Sequence, residues 1–260
     1  MPLRFATLGH PQRLAIFRLL MRRHPDALPA GEIAAVLRVK SSTLSAYLSA
    51  LMQAGLVTQT RIGTSRCYGI ALPALRETLG YLALDCCRGR ADLCAPLLEP
   101  VSAPAQSTGT RPMNDQKYNV LFICTGNSAR SIFAESILRR LGGDRFNVFS
   151  AGTKPYSEVN PFALKVLRAK GHDTSVLHAK NVAEFQSADA PVMDFVFTVC
   201  DRAANEDCPA WQGQPVSAHW GMPDPVKTEG TDARKSIAIQ QAYRTVHKRI
   251  TAFTALPIGT

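Results

Sequence analysis

The feature that most constrains this chain is a short string in its second half. An apolar run, Tyr118-Asn-Val-Leu-Phe-Ile-Cys124, enters Cys124-Thr-Gly-Asn-Ser-Ala-Arg130-Ser131, and residues 132–141 follow with helical character. Strand, loop and helix in that order set a Cys-x5-Arg loop at a helix N-terminus. The five intervening residues, Thr125, Gly126, Asn127, Ser128 and Ala129, can wrap their backbone N–H groups around a tetrahedral oxyanion. Arg130 can clamp two of its oxygens, and the helix N-terminus adds partial positive charge. These features are expected to depress the thiol pKa, making Cys124 a nucleophile at neutral pH, with Ser131 placed to hydrogen-bond the thiolate. Such chemistry calls for a downstream acid. Asp224-Pro225, beyond the run 215–220, supplies a proline-stiffened loop from which Asp224 can protonate a leaving oxygen.

A chain of 260 residues has room for one or two domains. Residues 96–116 are rich in Pro, Ser, Thr and Ala without helical or strand periodicity, which reads as a flexible linker between a domain over 1–95 and another over 117–260. No apolar stretch approaches the roughly 18 residues of a spanning helix, and His10, Gln12 and Arg13 interrupt the N-terminal apolar run, so a cytoplasmic protein with no membrane partner is expected. Seven cysteines without an export signal argue for reactive or ligand thiols rather than a disulfide framework. The net charge of +10 favours polyanionic or oxyanionic partners, and residues 1–100 are the more basic part, with 12 Lys and Arg against 6 Asp and Glu.

The first domain reads as helices and a hairpin. Pro11 suits a first helical position, and Leu14, Phe17, Leu20 and Met21 repeat at helical spacing over 11–23; a second helix covers about 30–38. After a turn at Val39-Lys40-Ser41, a third helix buries Leu44, Leu48 and Leu51 and turns Ser42, Ser45, Ala46 and Ser49 outward. Gly55 closes it, and strands over 56–61 and 65–70 flank Gly63, exposing Arg61 and Arg66. Together these make a winged helix-turn-helix, whose second helix can lie in a DNA major groove while the hairpin reaches phosphates.

Leu8-Gly-His-Pro-Gln-Arg-Leu-Ala-Ile-Phe-Arg-Leu-Leu20, Ser42-Thr-Leu-Ser-Ala-Tyr-Leu48 and Gln53-Ala-Gly-Leu-Val57 resemble the ArsR family of metalloregulatory repressors across about 3–94. The resemblance implies a homodimer through this domain that reads an inverted repeat in operator DNA, with Lys40, Ser41, Ser42, Thr43, Ser45 and Tyr47 at the groove. Many relatives bind metal through a Cys-x-Cys pair in the helix before recognition; the matching stretch here has none. Cys86, Cys87 and Cys94 instead place three thiols within nine residues, a set that suits As(III) or Sb(III) as effector. Cys67, alone in the wing, is assigned to packing.

The second domain is similar to the low-molecular-weight protein tyrosine phosphatases, and more closely to their arsenate reductase branch, across about 117–256. The string Phe197-Thr-Val-Cys200-Asp-Arg-Ala-Ala-Asn-Glu-Asp-Cys208-Pro adds two thiols to the cradle, whereas a phosphatase needs one. The resemblance implies that Cys124 attacks arsenate held by Arg130 and the loop amides, Asp224 protonates the departing oxygen, Cys200 attacks Cys124 as arsenite leaves, and Cys208 resolves the disulfide. An external thiol system, thioredoxin or glutathione with glutaredoxin, then reduces it. It also implies potassium near the loop through Asn127, Glu135 and Ser150, with Asn181 where an acidic ligand stands in relatives. No tightly bound cofactor is expected.

The expected architecture is therefore a winged helix-turn-helix followed by a doubly wound α/β domain with a parallel sheet, its anion site at the carboxyl end of the first strand. The expected function is an arsenite-responsive repressor fused to an arsenate reductase, the reductase making what the repressor detects. A linker of roughly 20 flexible residues spans about 25 Å, which would raise the local product concentration. Two alternatives stand beside it: a tyrosine phosphatase with a DNA-binding regulatory domain, and a non-catalytic oxyanion sensor. Val226, where phosphatases often carry an aromatic to stack on phosphotyrosine, weighs against the first.

Overall fold

Residues 1–82, 117–187, 189–206, 211 and 215–258 are described by a computed structural model of the chain. Two compact units emerge, Met1–Ser102 and Ala103–Thr260, each built on its own buried core.

In the first unit, Pro11 opens α2 (Pro11–Arg23), and the His10 ring caps it by accepting the Gln12 N–H at 3.2 Å. Helix α3 (Ala30–Leu37) stops where Arg38 takes a left-handed conformation, φ 54°, and the chain turns into α4 (Ser41–Gln53). The apolar faces of these helices converge: Ile16, Leu20, Ile33, Leu44, Leu48 and Leu51 are all buried. Strands β2 (Val57–Ile62) and β3 (Ser65–Ile70) form the antiparallel hairpin around Gly63, whose φ of 60° suits a residue without a Cβ. Two elements go beyond the sequence expectation. A two-residue strand β1 (Leu28–Pro29) pairs with β3, and an N-terminal helix α1 (Pro2–Leu8) precedes α2. Arg4 ties α1 down by donating to the carbonyls of Ala54 and Ala74 and pairing with Glu77. Helix α5 (Leu72–Gly80) is the described part of the helix expected from 73. Its expected continuation beyond Leu82 to about 85, the linker, and Cys86, Cys87 and Cys94 lie outside the described residues.

The second unit is a four-stranded parallel sheet built of Phe146–Gly152 (β5), Tyr118–Cys124 (β4), Phe195–Thr198 (β6) and Val216–His219 (β7) in that spatial order, with flanking helices. Strand β4 (Tyr118–Cys124) leads into α6 (Arg130–Gly142), which begins at Arg130 itself, two residues earlier than the apolar pattern suggested. Then come β5 (Phe146–Gly152), α7 (Pro161–Ala169), a 3-10 turn (Val182–Phe185), β6 (Phe195–Thr198), α8 (Asp201–Asn205), β7 (Val216–His219), a 3-10 turn (Pro225–Lys227) and α9 (Asp232–Thr254). Val120, Leu121, Phe122 and Ile123 are fully buried, as expected of an inner strand covered on both faces. The chain leaves β4 for β5 on one side and returns past it to β6 on the other. The loops leaving β4 and β6 therefore diverge, and a crevice opens at their carboxyl ends. Phe197, Trp220 and Phe253 stack behind it, with Phe197 and Trp220 centroids 4.3 Å apart, and fix the end of β6 against α9.

Candidate active site

The loop after β4 closes around its own thiol. Asn127, held at φ 44°, donates its backbone N–H to Cys124 Sγ at 3.0 Å. Ser131 Oγ lies 2.9 Å from the same sulfur. The Asn127 side chain holds the serine in place: its Oδ1 accepts from the Lys180 N–H at 2.7 Å, and its Nδ2 donates to Ser150 Oγ at 2.8 Å and Ser131 Oγ at 2.9 Å. Ser131 Oγ accepts one proton from Asn127, and its own O–H is free to donate to a thiolate at Cys124. Two glycines let the loop and its neighbours approach: a Cβ on Gly126 would meet the Tyr156 ring at 2.5 Å, and one on Gly152 the Thr125 carbonyl at 2.7 Å.

A cavity of about 240 Å³ stands over the loop, lined by Cys124, Thr125, Gly126, Ser128, Ala129 and Arg130 on one side and by Cys200 and Asp224 on the other. Arg130 pairs with Asp224 at 2.9 Å and donates to the Met222 carbonyl at 3.0 Å, so the clamp and the acid lie together with the acid loop drawn onto the cradle. Asp224 also caps the Pro225–Lys227 turn by accepting the Val226 N–H at 3.2 Å, and Arg249 of α9 braces the loop from behind through the Trp220 and Gly221 carbonyls. Cys200 sits at the N-cap of α8, 3.4 Å from the Ala203 N–H and 3.4 Å from Thr125 Oγ1. His219, held by Thr198 at 2.8 Å, pairs with Asp201 at 3.1 Å and so anchors the first turn of α8. Cys208 lies outside the described residues.

The thiol departs from the sequence expectation. Its pKa lies above the ordinary 9.0 rather than below it, because burial penalises the thiolate more than Ser131, Arg130 and the Asn127 N–H favour it, and the neighbouring Cys200 adds to the rise. The expected depression counted donors and omitted desolvation.

A second difference concerns the expected potassium site. Lys180, which no motif marks, places its ammonium 3.3 Å from Glu135 Oε2 and donates to the His178 carbonyl at 3.0 Å. Ser150 donates to the same Oε2 at 2.5 Å, while Arg139 takes Oε1 at 2.6 Å. Asn181 uses its side chain to cap the Val182–Phe185 turn. The oxygens a potassium ion would use are already engaged, and an ammonium stands on the carboxylate, so this donor set does not fit the ion.

In the first unit, Lys40, Ser41, Ser42, Thr43 and Ser45 are exposed along the start of α4, and Tyr47 is half-buried with its ring centroid 5.0 Å from that of His10. Arg61 and Arg66 face each other directly across the hairpin, exposed. Like charges opposed this way repel, and an anion between them removes the penalty. Cys67 is buried in the hairpin.

A nucleophile loop at the carboxyl end of a central parallel strand, with an arginine and an acid closing over it, defines a phosphatase-type oxyanion enzyme, here fused to a helix-turn-helix domain. Residues 119–255 match the family model of the low molecular weight phosphotyrosine protein phosphatases, and residues 8–60 that of a helix-turn-helix domain. The chain belongs to the low molecular weight phosphotyrosine protein phosphatase family, on its arsenate reductase branch. It is 37% identical over 134 residues to the arsenate reductase of Halalkalibacterium halodurans, covering 52% of this chain and 93% of that protein. To the arsenate reductase of Bacillus licheniformis it is 36% identical over 137 residues, covering 53% and 95%. A solved structure described as an arsenate reductase in the phosphate binding state superposes with a TM-score of 0.44 at 26% identity, covering 53% of this chain and 97% of that one. Among the described residues no helix is long and apolar enough to cross a membrane.

Proposed function

We propose that the chain is a bifunctional arsenic-resistance protein, reducing arsenate in its second unit and repressing an operator through its first. The observation that carries the catalytic half is that Cys124, Arg130, Asp224 and Cys200 line one cavity, with room for a tetrahedral anion. Arsenate draws Arg130 from Asp224 onto its own oxygens. Cys124 Sγ bonds to arsenic and one oxygen leaves as water, carrying the thiol proton relayed through Asp224. The Cys200 thiolate then attacks Cys124 Sγ; the sulfur–arsenic bond breaks with its electron pair on arsenic, which passes from As(V) to As(III) as the two sulfurs are oxidised to a disulfide. Cys208 attacks Cys200 and returns Cys124 to the thiol. Thioredoxin, or glutathione with glutaredoxin, reduces the Cys200–Cys208 bond. One turnover of full-length protein with arsenate and no external reductant, followed by alkylation and mass spectrometry, should leave Cys200 bonded to Cys208 in the wild type and to Cys124 in Cys208→Ser. Arsenate that leaves all three thiols free sinks the reading. A phosphatase would keep turning over aryl phosphate in Cys200→Ser, whereas the reductase stops.

For the first unit, the exposed small and polar start of α4 and the paired Arg61 and Arg66 support operator binding with much of the affinity from phosphates. Leu3 and Leu79, exposed on α1 and α5, offer an apolar face for a homodimer. As(III) or Sb(III) on Cys86, Cys87 and Cys94 is the proposed release signal. Arsenite titration of an operator complex tests it: Cys87→Ser should stay bound where the wild type dissociates.

A further inference from the structure

A groove of about 1050 Å³ lies on the second unit between α6, α7 and α9, lined by none of the residues of the cradle or the helix-turn-helix. Its floor is apolar, with Leu141, Ala169 and Ala252 exposed in it. Its rim is cationic: Arg140, Lys170, Arg244 and Lys248, all exposed.

Among the described residues none of these four cations is matched by a carboxylate. The described ion pairs of this unit use Arg130, Arg139, Lys180, His219 and Lys235 instead. The rim is held by other means. Arg140 donates to the Lys170 carbonyl at 2.5 Å, and the Lys170 ammonium lies 5.1 Å from the centroid of the Tyr243 ring. Tyr243 in turn is fixed by His172, whose Nε2 lies 2.8 Å from the Tyr243 hydroxyl and whose Nδ1 lies 3.0 Å from Ser136 Oγ. The wall is therefore built before anything binds. The field it sets up is felt by His172, whose pKa is lowered first by burial and then by Arg140, His247 and Lys170. Like charges gathered without counter-charges repel one another, a cost that an anionic partner removes.

The shape decides which anion. A phosphate backbone laid over an apolar floor would lose water there without gaining a donor, so duplex DNA suits the rim and not the floor. A second copy of this chain is a poor partner, since 30 Lys and Arg against 20 Asp and Glu give both copies a net charge of +10 and they repel. A helix of about 10 Å diameter with one apolar stripe and carboxylates beside it matches both parts. We propose that this groove docks an acidic amphipathic helix of a partner protein, its apolar stripe on Leu141 and Ala252 and its carboxylates on Arg140, Arg244 and Lys248.

The probe is a fluorescein-labelled synthetic 18-residue peptide with leucines at i, i+3, i+4 and i+7 spacing and glutamates elsewhere, titrated with the full chain and read by anisotropy. Saturable binding is expected, at least tenfold weaker in the double variant Arg140→Glu, Lys248→Glu and, separately, in Leu141→Asp. Far-UV circular dichroism matching the wild type and unchanged inorganic phosphate binding at the cradle show that the variants are folded. All three positions are exposed and outside the catalytic loop. The proposal is overturned if no saturable binding occurs, if a peptide of the same composition with its leucines scattered binds equally well, or if the same variants cost a non-operator duplex the same tenfold.

Discussion

At the scale of single residues, the site is decided by how Asn127 divides its side chain. The amide oxygen takes the backbone N–H of Lys180, far along the chain, and the amide nitrogen donates to Ser131, whose hydroxyl lies 2.9 Å from the Cys124 sulfur. Removing that hydroxyl in Ser131→Ala deletes a hydrogen bond to a developing charge, worth about 1.5–3 kcal/mol. Turnover efficiency, kcat/KM, should fall by about one to two powers of ten with the fold intact. The thiol itself gives a second expectation. Its folded pKa lies above 9.0, so the folded state keeps a proton that the unfolded chain releases. Stability is then undiminished below pH 9.0 and falls as the pH rises beyond it. Thermal melts of the wild type should lose more between pH 9 and 10.5 than those of Cys124→Ser, and parallel curves would refute the burial account. The loop and its cysteine were legible in the sequence because backbone donors, arginine and helix start are contiguous there. Lys180 was not, because its role arises only where the chain returns to Glu135 across 45 positions.

At the scale of elements, legibility follows length and periodicity. Helices α2 and α4, each 13 residues, show enough turns for an apolar stripe to repeat, and the hairpin is punctuated by Gly63. Helix α8 has five residues and β1 two, too few for any period, and both exist because tertiary contacts hold them: Cys200 and His219 at the head of α8, β3 alongside β1. The joint between α6 and α9 is of this kind as well. It runs Ser136–His172–Tyr243 through a single buried imidazole, and no local pattern announces it. The His172 pKa is held below 6.5, so the folded state binds fewer protons than the unfolded one. Its contribution is complete above pH 6.5 and is lost as the pH falls through the window beneath that value. Melting temperature should therefore decline on acidification from pH 6.5 to 5, and His172→Gln should flatten that slope. Tyr243→Phe removes one hydrogen bond and should cost about 0.5–1.5 kcal/mol in urea denaturation at pH 7.5.

At the scale of the whole molecule, the covalent union of the two units invites the idea that the reductase feeds the sensor directly. Diffusion argues otherwise. A source turning over about ten times a second raises a small product at any point roughly 30 Å away by less than about 1 nM, because the product escapes far faster than it is made. Tethering multiplies the local concentration of a macromolecular partner that cannot leave, not that of an ion that can. On the function proposed above, joining the two units fixes the stoichiometry of reductase and sensor, and no channelling of arsenite between them is predicted. Since each unit has its own buried core, the comparison can be made with fragments ending at Ser102 and beginning at Ala103. Operator release, followed by anisotropy after adding arsenate and reductant, should proceed with the same half-time, within a factor of two, for the intact chain and for an equimolar mixture of the fragments. A trapping dithiol should delay both equally. Release that is several-fold faster in the intact chain, and resistant to the trap, would mean that arsenite passes from the relay cysteines to the sensor thiols without entering solution.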